Sequence, residues 1–395
     1  MSMQAPLAGI TVIELGQYIA GPFAGQQLAD LGARVIKIER PGTGDPFRMF
    51  LGKGNIAGYA PNFIGFNRNK QSLAIDLQSE AGRAAFLKLA AQVDVVVENF
   101  RAGVLDRLGI GWEALRAVNP KLIYCSISGF SEDGPYADRP AFDTVGQALS
   151  GLLHLFTDPA DPRMRGPTIT DQVSALQAAN AICAALFARS HLHEGTRIDI
   201  SMLDSAITYM PDSFMAWTQS GIDMQPETRC AWSHSFVFTC ADERMIAVHV
   251  GGPERFWRAM VEATGHTELF DDPRFSNRPE RIKHFSEVIE TLRPIYREHT
   301  RAEWVRRMSE HDVPCAEILT IPEAMADPEV VHSRLFRTVT HPVHGEMVVM
   351  GRAARIDGMR EPHPTLPPML GEHNSAILHD FGFTEAEIAA LDTAD

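Results

Sequence analysis

Along the first 130 residues, short runs of consecutive apolar residues alternate with longer stretches whose apolar positions recur every three or four. "ITVIEL" (10–15) is apolar and β-branched, and after Gly16 comes the helical "FAGQQLADLG" (23–32). "ARVIKIE" (33–39) and "QSLAIDL" (71–77) repeat the strand pattern; "SEAGRAAFLKLAAQ" (79–92) has helical spacing, with Ser79 placed to cap it. "VDVVVENF" (93–100) and "LIYCSISGF" (122–130) are strand-like again. Strands this apolar, separated by helices, predict a parallel sheet covered on both faces. Ligands of such sheets sit at the carboxyl ends of the strands. At those ends the chain carries "ELGQYIAGP", "KIERPGTGDPFR", "ENFRAG" and "SISGFSEDGPYADRP".

Further on, residues 172–189 predict an amphipathic helix with Val173, Leu176, Ala179, Cys183 and Leu186 on one stripe. "RIDISMLDSAITYM" (197–210) gives a strand and a further helical segment. The character changes after the linker "GIDMQPETR": "SHSFVFTCADERMIAVHV" predicts two antiparallel strands around a short turn. Helices are expected in "ERFWRAMVEATG", in "ERIKHFSEVIETLRPIYREH", whose charges lie on one face, and in "RAEWVRRMSEHD". The tail adds a strand-like "HPVHGEMVVMGRAARIDG" and a short terminal helix in "EAEIAALDTAD". The expected organisation is α/β: a large Rossmann-like parallel-sheet domain at 1–220, a smaller α+β domain at 225–325, and a segment at 326–395 returning to the large domain.

Composition narrows the function classes. A net charge of -14, from 36 basic and 50 acidic residues, argues against a general nucleic-acid binder. An anionic small ligand remains compatible, because a local basic cluster can oppose the net field. Cys125, Cys183, Cys230, Cys240 and Cys315 are scattered and form no C-x-x-C, which disfavours a disulfide framework or a zinc site and fits a reducing cytoplasm. "MSMQAPLAGI" lacks a charged region followed by an apolar run, so no signal peptide is expected. No stretch reaches the ~20 apolar residues needed to span a bilayer.

The first strand–helix–strand unit, followed by Glu39, invites a dinucleotide reading, but its glycines are wrong: G-Q-Y-I-A-G-P is not G-x-G-x-x-G. No G-x-x-x-x-G-K-[ST] is present either. What remains is a glycine–proline turn before a helix, and then Lys37, Arg40 and Arg48 interleaved with Gly42 and Gly44. That arrangement suits a phosphate, with backbone N–H groups and guanidinium groups facing it; it suits a solvated loop equally well. Asp171, at the start of the 172–189 helix beside Thr168 and Thr170, also has two readings. It is a helix cap, or a carboxylate nucleophile kept ionised by the helix terminus.

"LAGITVIELGQYIAGPFAGQQLADLGARVIKIERPGTGDPFR" resembles the N-terminal signature of the class III coenzyme A transferases, the group of formyl-CoA, carnitine and bile-acid CoA transferases. "NRNKQSLAIDL", "VDVVVENFRAGVLDRLG", "NPKLIYCSISGFSEDGPYADRPAFD" and "TRIDISMLDSAI" extend the resemblance over most of the first 210 residues. It implies that coenzyme A moves between carboxylic acids, with Asp171 as the covalent nucleophile. It also implies that the adenosine diphosphate is held near Ile19, Ala20, Arg40, Ile75 and Leu77, and that Asn99, Phe100, Arg101 and Arg107 line the pantetheine and phosphate path. The partners implied are an acyl-CoA, a carboxylic acid and a second copy in an interlocked homodimer, with no metal, no tightly bound cofactor, no nucleic acid and no membrane.

The rival within the same fold is an α-methylacyl-CoA racemase. Its histidine precedes an aspartate in a G-H-D segment where this chain has "AFD", so Phe142 stands in place of an imidazole and cannot titrate. Its glutamate falls at Pro253 or Glu254. The formyl-CoA members carry a glycine-rich loop that "SGIDMQPETRCAWSHSF" lacks; Gly251 and Gly252 are the candidates to replace it. That difference turns the expectation toward succinyl-CoA as donor and a short dicarboxylic acid as acceptor. Trp217, Trp232 and Met215 are candidates for an acyl-pocket wall or for plain core. His234, His249, His341 and His344 lack metal-ligand spacing and are expected as surface or satisfied core residues. A thioesterase finds no G-x-S-x-G elbow, and a scaffold without activity is disfavoured by the intact Asp171, Asn99 and Arg40.

Overall fold

In the computed structural model, which describes residues 5–50, 58–360 and 364–392, the apolar runs of the first half form one parallel sheet. Its strands are β1 (Thr11–Glu14), β2 (Arg34–Glu39), β3 (Lys70–Ala74), β4 (Val95–Glu98), β5 (Ile123–Ser128) and β6 (Thr196–Ser201). They lie in the order β3-β2-β1-β4-β5-β6, and every pairing is parallel. This is the doubly wound order in which the strand sequence reverses between β1 and β4, and a crevice opens at such a reversal. The opening MSMQ and the last three residues, on which part of the leader and terminal-helix expectations falls, lie outside the described residues.

The strands are apolar throughout because each face is covered. Ile13, Ile36, Ile38 and Val96 point to one side, against Phe86 and Leu89 of the Glu80–Ala90 helix. Val12, Val35, Val95, Val97 and Ile123 point to the other, against Ala24 and Leu28 of the Ala20–Asp30 helix and against the long Thr170–Leu192 helix. Ser79 does cap its helix, accepting the Gly82 N–H at 2.9 Å.

The stripe expected on the long helix is met in part: Ala179 is buried, and Cys183 and Leu186 pack partly buried against the same core. Ala175, Ala178, Ala179, Ile182 and Ala185 are buried, while Leu176 is 49% exposed and Phe187 72% exposed. Alanines let this helix approach the Ala20–Asp30 helix and the sheet closely, and large side chains there would force the layers apart. Of the expected stripe, Leu176 is the residue that faces outward.

The chain divides into two compact units, one of Met1–Leu153, Gly166–Pro211 and Val331–Asp395, the other of His154–Arg165 and Asp212–Val330. In the first, the C-terminal segment returns to the sheet edge: His373 donates its N–H to Ser72 O, and Asn374 Oδ1 accepts the Ala74 N–H. It carries the antiparallel hairpin of Phe336–His341 and Gly345–Met350. In the second unit, Ser235–Thr239 and Met245–His249 pair antiparallel as expected, with Cys315–Glu317 as an added third strand. The single helix expected over 280–299 breaks at His284 into Arg278–Lys283 and Phe285–Tyr296. An aromatic core of Phe236, Phe238, Trp257, Tyr296 and Trp304 holds this unit together.

Candidate active site

The reversal point of the sheet brings together two turns, one after β1 and one after β4. Gly16, Gln17 and Tyr18 form the first, and nearly every backbone polar group in it is bonded to a side chain from another element. Glu14 Oε1 accepts the Gly16 N–H at 2.9 Å, and Lys37 Nζ donates to Gly16 O at 2.7 Å. Asn99 Oδ1 accepts the Gln17 N–H while its Nδ2 donates to Gln17 O. Asp45 Oδ1 accepts the Tyr18 N–H, and Tyr18 sits at φ 63°, in the left-handed region that a tyrosine rarely adopts. The glycines of G-Q-Y-I-A-G-P fit here because Gly16 and Gly21 touch: a Cβ on Gly21 would lie 2.8 Å from Gly16 Cα.

Beneath this turn lies a charge cluster removed from water. Lys37 pairs with Glu14 and Asp45, Lys70 with Glu14, and Arg48 with Glu39. Three acids face three bases, and all six side chains are buried. Burial disfavours the charge on Glu14, but Lys37 and Lys70 outweigh it and hold its carboxyl below the ordinary range. Burial acts against the Lys70 ammonium more strongly than Glu14 supports it, leaving it lowered to about 8. This overturns the phosphate reading of Lys37 and Arg48. Both are spent on internal carboxylates, and Arg40 alone of the three is exposed.

Asp171 lies in the first turn of Thr170–Leu192, yet it is not the cap. Its carboxylate makes no hydrogen bond among the described residues. The terminus is capped by Asp143, whose Oδ1 accepts the N–H groups of Ile169 and Thr170 at 2.8 Å each and that of Asp171 at 3.3 Å. Thr170 Oγ1 and Gln147 Nε2 add bonds to the same carboxylate. The expectation that free N–H groups keep Asp171 ionised is therefore corrected: those donors serve Asp143. Burial pushes the Asp171 carboxyl up and the Asp143 charge adds to it, bringing it to about 7.

Asp171 opens on a cavity of about 240 Å³ lined by Ile19, Ala20, Asn99, Phe100 and Arg101, all singled out from the sequence. A neighbouring groove of about 160 Å³ is lined by Arg40, Ile75 and Leu77. Gln17 and Phe100 line both, which joins the expected residues into one cleft. Arg107 is not among them: it is exposed at the end of the short Val104–Arg107 helix and lines neither cavity. Asn99 lines the Asp171 cavity and also shapes the turn, its Oδ1 accepting the Gln17 N–H and its Nδ2 donating to Gln17 O.

Sequence reasoning missed Asp143 as the cap, Gln17 and Tyr18 as lining, and Arg139, which reaches the Asp171 cavity. An available signal was the acid just inside each apolar strand, Glu14 and Glu39, which calls for buried cations nearby. Phe142 also lines the Asp171 cavity, 64% exposed and edge-on to Tyr18. Glu254 is held by both terminal nitrogens of Arg281, at 2.9 and 2.6 Å. Neither residue has the free titrating group a racemase needs. Gly251 is required by packing, since a Cβ there would lie 2.3 Å from Ser233 O. Trp217 and Met215 are exposed rather than core. His234 is buried with Nε2 unpaired among the described residues, contrary to the satisfied role expected, and burial lowers it to about 4. No cluster able to hold a metal occurs among the described residues, and no helix there is long and apolar enough to cross a membrane.

Comparison with known proteins meets this geometry. Residues 7–374 match the sequence profile of CoA-transferase family III. The chain is 32% identical to an acetyl-CoA:oxalate CoA-transferase of Acetobacter aceti, over 97% of this chain and 98% of that protein. It is 33% identical to a succinyl-CoA–D-citramalate CoA-transferase of Chloroflexus aurantiacus, over 98% and 96%. Among solved structures, a CAIB/BAIF family protein from Brucella suis superposes with a TM-score of 0.85 at 30% identity, covering 96% of this chain and 100% of that one.

Proposed function

We propose, on the premise that this chain belongs to CoA-transferase family III and is a CoA-transferase acting between carboxylic acids, that Asp171 is its covalent nucleophile. The observation carrying this reading is a carboxylate relieved of the capping role, without a hydrogen bond among the described residues, and facing the cleft at the sheet reversal. A carboxyl raised to about 7 is a stronger base than an ordinary aspartate and is half ionised near neutrality.

An Asp171 oxygen attacks the thioester carbonyl of the donor. The tetrahedral intermediate expels coenzyme A thiolate and leaves an acyl–aspartyl anhydride. The thiolate then attacks the aspartyl carbonyl and releases the donor acid as its carboxylate, giving an aspartyl-CoA thioester. The acceptor carboxylate attacks that carbonyl and displaces the thiolate once more. Attack of the thiolate on the acceptor's acyl carbon in the new anhydride forms the product thioester and returns Asp171 as a carboxylate. Each oxyanion needs donors aimed in advance. The first N–H groups of the Ala20–Asp30 helix, beside the cavity, are suited to this.

Arg40, Ile75 and Leu77 are assigned to the nucleotide end of coenzyme A, and Ile19, Ala20, Phe100 and Arg101 to its path toward Asp171; no tightly bound cofactor enters the cycle. The donor is a short acyl-CoA such as succinyl-CoA and the acceptor a short dicarboxylic acid, the class that the names of both relatives carry. The assembly is an interlocked homodimer, a reading supported by the exposed Leu176, Phe187 and Leu192 on one long helix. Free cysteines throughout fit the cytoplasm.

The test is exchange from succinyl-CoA or acetyl-CoA to a panel of short dicarboxylic acids. Acceptor-dependent transfer, reduced at least ~10³-fold in Asp171→Ala, is expected. Transfer undiminished in Asp171→Ala removes the assignment.

A further inference from the structure

Glu14 and Glu98 are the last residues of β1 and β4, neighbouring strands, and each folds its side chain back over the turn that follows. Glu14 accepts the Gly16 N–H; Glu98 Oε2 accepts the Phe100 N–H at 2.6 Å. The device is the same and the setting differs. Glu14 lies between two lysines, whereas no ion pair reaches Glu98 among the described residues. The partners of Glu98 are neutral: Tyr124 donates its hydroxyl to Oε1 at 3.0 Å, and the Ser126 hydroxyl of the same strand lies nearby.

We propose that Glu98 is a positioning residue for acyl-CoA, holding the Asn99–Arg101 turn in its binding shape by the bond its carboxylate accepts from the Phe100 N–H. The inference rests on the reading of residues 99–101 as part of the coenzyme A path. As a carboxylate, Glu98 accepts from both the Phe100 N–H and the Tyr124 hydroxyl. Once it is protonated, the Tyr124 hydroxyl can reverse and accept, but an N–H can only donate. The Phe100 bond then runs to a neutral carboxyl and loses its charge assistance.

The surroundings put this change within reach of neutral pH. Glu98 lines a cavity of about 520 Å³ whose wall it shares, through Arg101 and Ser128, with the Asp171 cavity. From its own side come Arg101 and Asp106; from the loop after β5, Glu132 and Asp133; from β6 and the Met202–Tyr209 helix that follows it, Arg197, Asp199 and Asp204. Arg197 is committed to Glu132 and Asp199, so the balance facing Glu98 is acidic. Tyr124 and Cys125 are themselves pushed up by burial and by Glu98, and stay neutral. Burial, with Glu132 adding to it, overrides the hydrogen bonds and raises the Glu98 carboxyl to about 7.

The experiment measures binding of free coenzyme A by calorimetry in an Asp171→Asn background, where the nucleophile no longer titrates, with and without Glu98→Gln. Glutamine mimics the neutral acid, so the two proteins should bind equally near pH ~6 and differ about five-fold near pH ~8, the Glu98 protein being tighter. The titration of coenzyme A's own phosphates is common to both and cancels. Tyr124→Phe, which removes one donor, should move the crossover to higher pH. Thermal melts of each variant establish that it is folded. A gap that is absent, or constant with pH as a purely structural role would give, overturns the proposal. Unchanged binding in Phe100→Ala and Arg101→Ala would instead overturn the coenzyme A path on which it rests.

Discussion

Glu14 and Asp171 are both carboxylates drawn out of water near the carboxyl end of one sheet, and their surroundings push them in opposite directions. Glu14 lies between Lys37 and Lys70 and is held ionised. Asp171 has Asp143 as its charged neighbour and is driven toward protonation. Under the first turn, every buried charge is matched, which fixes Gly16 to Tyr18 despite the strained φ of Tyr18. Against the Thr170–Leu192 helix, two acids share one helix start and only Asp143 receives the N–H groups. The difference teaches a division of labour: matched charges make a rigid floor, and an unmatched one makes a reactive group.

The sharpest way to break the comparison is to unmatch the floor. Lys37→Met leaves Glu14 and Asp45 buried without their shared cation, and a loss of about 3–5 kcal/mol is expected from denaturant midpoints. The double variant Lys37→Met/Glu14→Gln should lose less than the two single changes added together, because the Lys37–Glu14 pair can be lost only once. Strict additivity would mean that the cluster is not coupled.

A smaller effect of opposite sign is expected on the other side. Asp171 binds its proton more tightly folded, at about 7, than unfolded, at ~3.9. Between those values the native state holds the extra proton, so the group's contribution to stability falls as pH rises through that window. Asp171→Asn should therefore stabilise the protein by about 1–2 kcal/mol near pH ~8, with the gain vanishing by pH ~4. Asp143→Asn should lower the pH at which Asp171 titrates, although it weakens the helix cap. A pH-independent difference between wild type and Asp171→Asn would show that Asp171 has no raised affinity for its proton.

The sheet was legible because strands covered on both faces leave uninterrupted apolar runs, and helices between them leave a period near four. The long helix was legible in extent and only partly in orientation, because alanines carry much of its packed face while Leu176 and Phe187 face outward. Asp171 was legible as a candidate, yet the choice between cap and nucleophile was not. The residue that decides it, Asp143, lies 27 positions before the Thr170 N–H that it caps and on another helix. Lys37 and Arg48 were misread for a related reason. A basic residue in a glycine-rich stretch looks solvated until the acids of β1 and β2 are seen folding onto it. Pairings across the sheet are set by register, which the local pattern does not carry.

The central claim is that Asp171 becomes covalently joined to coenzyme A. The most direct measurement is to incubate the protein with succinyl-CoA in the absence of an acceptor, quench it, and map its peptides by mass spectrometry. The account predicts coenzyme A attached to the peptide carrying Asp171, discharged on adding the acceptor acid and absent in Asp171→Asn. Acceptor-dependent turnover with an unmodified Asp171 peptide, or coenzyme A found on another side chain, would contradict it.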